Sequence, residues 1–354
     1  MKILVDIGHP ANVHFFKNII RLLEKEGNEV KITLRNRDVA KYLLNIYGFE
    51  YETLVERHYK GVLNKAVGML KIDYKLYKVA KKFGPDILTG ESFYIARVSK
   101  LLRKPSIVFI NNEMGFYNKL FSRFADVICT SKSFNESFDF KKHIKYDGYY
   151  FGAYLHPSYF KPDPSVLEDL GLNKDEKFFI LRFRTYDAFH DIGHRGFHAD
   201  RLKLAKELEE HGRVLILSDS ELGGELEKYR IPPSERLHDL LYFAYMYIGD
   251  GFSTAAEAAI LGTPSILVST IDRGYIRELR DRYNLVITCK NSEEAHEIVR
   301  SLLEKSDLKK EWGRRARKMQ SEKIDVVKFV VDLIKRYPES VSEYIEQNKW
   351  KWEQ

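Results

Sequence analysis

Short apolar runs alternate with amphipathic helical patterns along almost the whole chain, and this alternation limits the folds open to it. The first run is KILVDI, and the helical pattern VHFFKNIIRLLEKEG, ending at Gly27, separates it from the second run, EVKITL. Strands that are joined through helices pair in parallel, because each crossover returns across the sheet before the next strand starts. The pattern therefore predicts an α/β fold with parallel sheets covered by helices on both faces.

The alternation occurs twice, which predicts two domains. The later apolar runs of the first half are PDILTG, SIVFI and DVICTS, and those of the second half are KFFILRF, RVLILS, YMYIGD, PSILVS and LVITC. The stretch between them, YYFGAYLHPSYFKPDP, has three prolines and many aromatic residues, so we expect a packed connection and not a helix. A chain of 354 residues also suits two domains. We expect one Rossmann-like domain over residues 1–150, a second over 151–337, and a terminal helix over 338–354 that packs back on the first domain.

Composition and charge narrow the functional classes. The chain is 44% hydrophobic and 31% charged, it lacks an apolar run of membrane-spanning length, and its first residues, MKILVDIGHP, read as a strand and not as a signal peptide. We therefore expect a cytoplasmic protein in which Cys129 and Cys289 are buried free thiols. The net charge of +7 would suit nucleic acid, but no helix-turn-helix, RNP or zinc-finger spacing accompanies it. We expect the charge to serve small phosphorylated ligands or an anionic membrane surface.

A glycine-rich turn after the run YMYIGD combines several groups that could bind an anion. Gly249 and Gly251 allow a tight backbone, Ser253 and Thr254 offer hydroxyls where a helix starts, and Glu257 follows within one turn. Ligands of open parallel sheets bind beyond the carboxyl ends of strands, where helix amides meet phosphates. We expect Gly251, Ser253 and Thr254 to hold a diphosphate, while Glu257 accepts hydrogen bonds from a ribose diol. The alternative is a capping box, in which Glu257 only closes its own helix at Thr254.

This stretch resembles the nucleotide-sugar motif of GT-B glycosyltransferases and of bacterial UDP-N-acetylglucosamine 2-epimerases. Those families follow a Ser/Gly turn with a helix whose Glu binds ribose, and they close the motif with Leu-Gly-x-Pro, which stands here at residues 261–264. From Lys2 to about Arg336 the chain also resembles an archaeal-type GT-B-like family of unknown function, through LRFRTYDAFHDIG and GAYLHPSYFKPDPSVLEDLGL. The resemblance implies GT-B architecture, with two Rossmann-like domains and a cleft between them.

Three further segments are similar to these families in the expected order. FGPDILTGESFYIARVSKLLRKPSIVFINNEMG resembles an epimerase pattern in which Asp86, Glu91 and Glu113 take the acidic positions. NNEMGFYNKLFSRFADVICTS resembles a stretch of the peptidoglycan N-acetylglucosaminyltransferase. GHPANVHFFKNII stands where GT-B enzymes carry an acceptor-side turn with a histidine, which His14 matches, although Ala and Asn replace the usual glycine pair.

The start of the second half supplies cations and a polar cluster. Arg182 and Arg184 end a strand where the epimerases have a His-Arg-Arg run, so we expect them to bind a diphosphate through their planar forks, the alternative being surface ion pairs. A polar cluster follows, and its spacing on a helix would suit a metal. Glycines inside it disfavour that helix, so we expect a polar loop that contacts phosphate or acceptor. The cluster consists of Asp187, His190, Asp191, His194 and His198.

The segment from Tyr59 to Lys82 is a helical pattern with a lysine-rich side. Val67, Leu70, Tyr74 and Tyr77 share its other side. This pattern favours a core helix with a solvated lysine face, the alternative being contact with an anionic bilayer or a lipid-linked acceptor.

Together these features favour a glycosyltransferase that uses a nucleotide-diphosphate sugar, with UDP-sugar as donor and a glycan, lipid-linked or small-molecule acceptor. We expect transfer without a metal or other cofactor, since no Asp-x-Asp motif is present. The candidates for the base that deprotonates the acceptor hydroxyl are His9, His14, Glu91 and Glu113. One alternative is a UDP-sugar 2-epimerase, possibly hydrolysing, in which Asp86, Glu91 and Glu113 move the proton at carbon 2. Another is a non-catalytic nucleotide-sugar binder.

Overall fold

The computed structural model describes residues 1–35, 38–55, 62–113, 115–139, 141–173, 176–183, 201–218, 221–231 and 235–350. The chain forms two compact units. Unit 1 combines Met1–Tyr159 with Ile324–Gln354, and unit 2 is Phe160–Lys323. Each unit has its own parallel sheet and its own apolar core, which confirms the prediction of an α/β fold with two Rossmann-like halves.

The described strands of unit 1 form a seven-stranded sheet in the order β3-β2-β1-β4-β5-β6-β7, and each pairing within it is parallel. The order reverses direction between β1 and β4. The strands are β1 (Lys2–Ile7), β2 (Glu29–Arg35), β3 (Tyr51–Val55), β4 (Ile87–Gly90), β5 (Ser106–Phe109), β6 (Val127–Ser131) and β7 (His143–Tyr146).

Helices cover both faces of this sheet. Val108 belongs to an apolar cluster with residues of α3 and α4, so its neighbour Phe109 points to the opposite face. There Phe109 contacts Phe15 and Phe16 of α1, with ring centroids 5.3 and 6.0 Å apart. Helices α2 and α6 pack beside α1 on that second face. The bounds are α1 (Pro10–Lys25), α2 (Asp38–Ile46), α3 (Val62–Phe83), α4 (Phe93–Leu102), α5 (Phe116–Ser122) and α6 (Gly152–Leu155).

The carboxy-terminal residues return to unit 1 as α14 (Val326–Lys335) and α15 (Glu339–Trp350). Helix α14 packs its apolar face against α1 and α6. Its Phe329 contacts Tyr146 of β7 at 5.2 Å, and Tyr344 of α15 packs on Phe329 at 4.9 Å. The carboxy-terminal part of unit 1 therefore begins at Ile324 and not at residue 338, the start predicted from the sequence. The difference arises because α14 also covers the sheet of unit 1.

The described strands of unit 2 form a six-stranded parallel sheet in the order β10-β9-β8-β11-β12-β13, which reverses direction between β8 and β11. The strands are β8 (Phe178–Arg182), β9 (Arg213–Leu217), β10 (Arg230–Ile231), β11 (Met246–Gly249), β12 (Ser265–Val268) and β13 (Val286–Cys289). The helices are α7 (Ser165–Asp169), α8 (Arg201–Glu209), a 3-10 helix (Gly224–Tyr229), α9 (Leu237–Phe243), α10 (Phe252–Ile260), α11 (Gly274–Asp281), α12 (Ser292–Leu303) and α13 (Leu308–Glu322).

Helix α10 is buried on nearly every side, which explains its alanine-rich sequence. It packs against β12, α9, α11 and α13, and its small side chains let these neighbours approach closely. The helix ends before Gly262, whose φ of +82° suits glycine. A Cβ at Gly262 would also lie 3.1 Å from the Cα of Gly313 in α13.

Both cysteines are free and buried, as the sequence predicts. Cys129 lies in β6 and Cys289 at the end of β13. Burial raises the pKa of both thiols, so little reactive thiolate forms near neutral pH.

Helix α3 presents a different face to the core from the one that the sequence analysis favours. The core face consists of Leu76 and Ala80, with Ile72, Val79 and Phe83 beside them. Val67, Leu70 and Tyr74, assigned above to a core face, are exposed to solvent. Among the described residues no helix has the length and apolar character needed to cross a membrane.

Candidate functional site

In unit 2, the crevice between β8 and β11 is where the strand order reverses, and open parallel sheets bind their ligands at this point. Arg182 is the last residue of β8 and Gly249 the last of β11, and the two are paired in register. A Cβ at Gly249 would lie 2.4 Å from the carbonyl oxygen of Arg182. A side chain cannot fit there, so glycine lets the two strand ends approach each other.

The turn after β11 is held by its own strand. The hydroxyl of Tyr247, which is fully buried, donates to the carbonyl oxygen of Gly251 at 3.2 Å. Gly251 is the N-cap of α10 and has no side chain to offer the helix amides. Amides in the first turn of an α-helix have no acceptor within the helix, and they carry partial positive charge. The start of α10 is therefore suited to an anion at the strand-order reversal.

Arg182, Thr254 and Glu257 surround this helix start. The Nη1 of Arg182 donates to Thr254 Oγ1 at 3.1 Å. Thr254 is buried, whereas Ser253 beside it is exposed. Glu257 is buried one turn further along, and its Oε1 lies 3.4 Å from Nε2 of His238 on α9, itself only 6% exposed.

This geometry contradicts the capping-box alternative for Glu257. A capping box requires Thr254 at the N-cap, but the N-cap is Gly251 and Thr254 lies inside the helix. The Thr254 hydroxyl accepts from Arg182, and Glu257 is directed toward α9. His238 is a neighbour of Glu257 that the sequence analysis missed, because nothing in RLHDLLYF marks one helical histidine as facing another helix.

Arg184 and the cluster of Asp187, His190, Asp191, His194 and His198 lie outside the described residues.

Unit 1 has an equivalent reversal point between β1 and β4. Asp6 and Gly90 are paired in register there, as Arg182 and Gly249 are in unit 2. A Cβ at Gly90 would lie 2.7 Å from the carbonyl oxygen of Asp6. The same close approach of strand ends thus occurs in both units, and in unit 1 the residue that follows it is Glu91.

Glu91 lies in a network of neutral donors. Its Oε2 accepts a hydrogen bond from Asn12 Nδ2 and another, at 3.4 Å, from the hydroxyl of Tyr150. Asn12 is buried, and its Oδ1 accepts from the Gly8 amide at 3.1 Å. Burial raises the pKa of Glu91 to about 7, although the hydrogen bonds from Asn12 and Tyr150 oppose this shift. A carboxyl group with this pKa can gain and lose a proton near neutrality.

Close to Glu91, the buried Asp6 forms an ion pair with the partly exposed Arg35. Asp6 is fully buried, accepts from Thr33 at 3.0 Å and from Ser92 at 2.9 Å, and lies 3.1 Å from Nε of Arg35. The Arg35 guanidinium stacks over the Tyr94 ring at 4.9 Å. Arg35 is not among the site residues predicted from the sequence, although it ends β2 as Arg182 ends β8, and this shared position could have identified it.

The histidines predicted as bases have structural contacts. His9 is the N-cap of α1, and its Nδ1 accepts from the Ala11 amide at 3.2 Å. His14 packs between Tyr47 and Tyr154, with ring centroids 6.0 and 5.3 Å away. These contacts match the capping and packing roles open to any histidine in a helix, and a catalytic role for either stays a prediction.

The remaining acidic candidates lie at opposite edges of the sheet. Glu113 follows β5 at the carboxyl edge, where it accepts from the Asn135 amide at 3.2 Å. Asp86 precedes β4 at the other edge and accepts from the Lys2 amide at 2.8 Å. The suggestion that Asp86 shares an acid-base site with Glu91 and Glu113 is therefore wrong, because β4 separates it from both.

Comparison with known proteins adds a family and a set of folds. A family model described as "Protein of unknown function (DUF354)" matches residues 1–339. The chain belongs to the DUF354 family. A relative in Methanocaldococcus jannaschii, the uncharacterized protein MJ0665, is 25% identical over 280 residues, which is 75% of this chain and 81% of the relative.

Three solved structures show how the DUF354 chain folds. S. aureus MnaA with UDP is 12% identical and has a TM-score of 0.67, covering 96% of this chain and 98% of its own. The UDP-GlcNAc 2-epimerase of Neisseria meningitidis, bound to UDP-GlcNAc, is 16% identical with a TM-score of 0.64, covering 95% and 100%. MurG of Acinetobacter baumannii is 16% identical with a TM-score of 0.57, also covering 95% and 100%. At these identities the likeness establishes the GT-B-like fold of the DUF354 chain.

Proposed function

We propose that the protein is a glycosyltransferase whose unit 2 binds a nucleotide-diphosphate sugar, most favourably a UDP-sugar. The observation that carries this proposal is the grouping of Arg182, Thr254 and Glu257 around the start of α10, where the strand order reverses. The guanidinium and the helix amides would hold the diphosphate, and the Glu257 carboxylate would accept the two ribose hydroxyls. Support comes from the nucleotides in two neighbours, UDP-GlcNAc in the N. meningitidis epimerase and UDP in S. aureus MnaA.

Glu91 would be the base for transfer. The acceptor oxygen forms a bond to the anomeric carbon of the sugar while the bond from that carbon to the diphosphate oxygen breaks. The electron pair of the broken bond leaves with UDP, and the acceptor proton passes to the Glu91 carboxylate. The raised pKa of Glu91 supports this role, because a carboxylate of ordinary pKa would be a weaker base at neutral pH. Positive charge at the start of α10 would stabilise the leaving diphosphate.

We further propose that transfer takes place without a divalent cation, with Arg182 supplying the charge. A chelator such as EDTA should then leave the rate unchanged, whereas Arg182→Lys should lower it, since a lysine cannot make two parallel bonds to a diphosphate. A rate that EDTA abolishes and Mg²⁺ restores would contradict this part of the proposal.

Nucleotide binding is tested with a thermal-shift panel of UDP, GDP, ADP, TDP and their sugars on the wild-type chain and on Glu257→Ala. A bound ligand stabilises the fold by about 2.7 kcal/mol when its free concentration is about 100 times its Kd. We expect a shift with uridine nucleotides that is lost in Glu257→Ala. The matched control is Glu297→Ala, which removes an exposed carboxylate from α12 of the same unit and should shift as wild type does. If no nucleotide raises the melting temperature of the wild-type protein, the proposal fails.

A UDP-sugar 2-epimerase is the second candidate, and one observation favours it. Glu91 and Glu113 follow the adjacent strands β4 and β5 at the same sheet edge, and two acids in successive loops could remove a proton from carbon 2 and return one. Incubation with UDP-N-acetylglucosamine alone in heavy water separates the two reactions. An epimerase incorporates deuterium at carbon 2 without an acceptor, and a transferase does not. Glycans, lipid-linked sugars and small alcohols then serve as trial acceptors.

A further inference from the structure

One side of α3 exposes apolar residues that the core of unit 1 does not use. Leu70 is 69% exposed, Tyr74 58% and Val67 49%, and Leu101 of α4 is 68% exposed. Leu101 lines one shallow depression of about 340 Å³ together with Leu70, Asp73, Tyr74 and Tyr77. We name the exposed residues Val67, Leu70, Tyr74 and Leu101 the apolar stripe.

The stripe runs along the helix axis. Residues 67, 70 and 74 repeat at intervals of three and four, so they lie on one side of α3 over roughly 10 Å. The buried residues Leu76 and Ala80 lie on a different side, toward the sheet. Helix α3 is therefore apolar on two sides, and within the described part of the chain only the side with Leu76 and Ala80 is covered.

A row of lysines runs beside the stripe. Lys75, Lys78 and Lys82 also repeat at intervals of three and four, and all three are exposed. We name them the lysine row. The Nζ of Lys78 lies 4.7 Å from the centre of the Tyr74 ring, which shows that the row and the stripe adjoin.

The negative charge of α3 is already paired. Asp73 is the one acidic residue in the sequence of α3. It accepts two hydrogen bonds from Arg97 of α4, from Nε at 2.9 Å and from Nη2 at 3.0 Å. The lysine row thus leaves a net positive surface beside exposed leucine and tyrosine side chains.

We propose that this side of α3, with Leu101, binds the surface of an anionic lipid bilayer. Apolar side chains enter the boundary between headgroups and acyl chains, tyrosines favour the headgroup level, and lysines beside them bind lipid phosphates. Positive charge complements an anionic membrane, and each lysine near the surface adds attraction that salt weakens. Binding of this kind needs no nucleotide sugar and does not depend on the reaction proposed above.

The experiment is co-sedimentation of the full chain with vesicles of phosphatidylcholine alone or of phosphatidylcholine and phosphatidylglycerol in equal parts. We expect the protein to sediment with the anionic vesicles, not with the neutral ones, and to be released by high salt. Leu70→Ser combined with Leu101→Ser should lower the bound fraction by at least about fivefold, because two apolar side chains no longer enter the bilayer. Lys75→Glu combined with Lys82→Glu should lower it similarly.

The matched control is Val39→Ser combined with Ile46→Ser on α2. Val39 and Ile46 are 48% and 47% exposed, and α2 covers the opposite face of the sheet, so this variant should bind vesicles as wild type does. Circular dichroism and thermal melting verify that each variant folds. The proposal is overturned if the wild-type protein does not sediment with anionic vesicles. It is also overturned if the stripe and lysine variants sediment with them as wild type does. Light scattering of the protein without vesicles tests for self-association. If the wild-type chain is a dimer and Leu70→Ser combined with Leu101→Ser makes it monomeric, the stripe binds a second copy of the chain and the membrane proposal is overturned.

Discussion

Arg182 and Thr254 join the end of β8 to the first turn of α10 through a hydrogen bond of 3.1 Å between Nη1 and Oγ1. This bond orients the guanidinium at the start of the helix, where the strand order of unit 2 reverses. The two residues are 72 positions apart in the chain, so only the parallel sheet brings them together.

Removing the Thr254 hydroxyl should weaken nucleotide binding. In Thr254→Val the side chain keeps its shape but no longer accepts from Arg182, and we expect the Kd for UDP to rise roughly tenfold, since a hydrogen bond to a charged group contributes about 1.5–3 kcal/mol. Thr254→Ser keeps the hydroxyl and should bind nearly as wild type does. Isothermal titration calorimetry measures the Kd for UDP of both variants. Equal Kd values for Thr254→Val and wild type would show that the hydrogen bond between Arg182 and Thr254 does not contribute to nucleotide binding.

His238 should act on the nucleotide through Glu257. Its Nε2 lies 3.4 Å from Oε1 of Glu257, and both side chains are buried. We expect His238→Leu to raise KM for the donor several-fold with a smaller change in kcat, because the carboxylate loses the polar neighbour that orients it. His238→Gln can still donate to Glu257 and should restore much of the affinity. If His238→Gln and His238→Leu are equally impaired while both fold normally, His238 has a role other than positioning Glu257.

The raised pKa of Glu91 predicts a pH-dependent stability. An unfolded glutamate titrates near 4.5 and the folded one near 7, so between these values the unfolded chain loses its proton while the folded protein keeps it. The contribution of Glu91 to the free energy of unfolding is therefore highest below pH 4.5, falls as pH rises toward 7 and is level above 7. The total fall is at most about 3.4 kcal/mol, at 1.36 kcal/mol per pKa unit. Glu91→Gln cannot ionise, so its stability relative to wild type should improve with rising pH, as urea unfolding at a series of pH values measures.

The same variant tests the base. If Glu91 is the base, its ionised form takes the acceptor proton, so the wild-type kcat/KM should fall about tenfold per pH unit below pH 7, and Glu91→Gln should lose about 100- to 10,000-fold in rate at any pH. Glu52→Gln changes an exposed carboxylate of the same unit and should keep the wild-type profile. A flat profile in active wild-type protein would exclude Glu91 as the base.

Much of the fold could be predicted from the sequence because it rests on local patterns. Apolar runs such as KILVDI and YMYIGD mark strands, and the turn from Gly249 to Gly251 marks the end of one. The contact of His238 with Glu257 and that of Arg35 with Asp6 could not be predicted, because each depends on which elements are neighbours in space. Local patterns do not contain that information.

Helix α3 shows a second limit, since its sequence contains two apolar sides. One holds Leu76 and Ala80, and the other holds Leu70 and Tyr74. Periodicity detects both sides but does not indicate which one faces a sheet. The same limit applies to α14, whose apolar face would suit the sheet of either unit and packs in unit 1.

The paired glycines at the two reversal points should be intolerant of a side chain. A Cβ at Gly90 would lie 2.7 Å from the Asp6 carbonyl oxygen, and one at Gly249 would lie 2.4 Å from that of Arg182, and backbone atoms cannot swing away as a side-chain end can. We expect Gly90→Ala and Gly249→Ala each to reduce the free energy of unfolding by roughly 1–3 kcal/mol, as overpacking does. Gly313→Ala is the matched control, because its Cβ would meet only the end of Arg317 at 3.5 Å and alanine favours a helix interior by up to about 1 kcal/mol. In urea unfolding, the free energy of unfolding of Gly313→Ala should therefore equal or exceed that of wild type, and those of Gly90→Ala and Gly249→Ala should be lower than wild type. If Gly249→Ala unfolds with wild-type stability, the ends of β8 and β11 are not held as close together as the site between Arg182 and α10 requires.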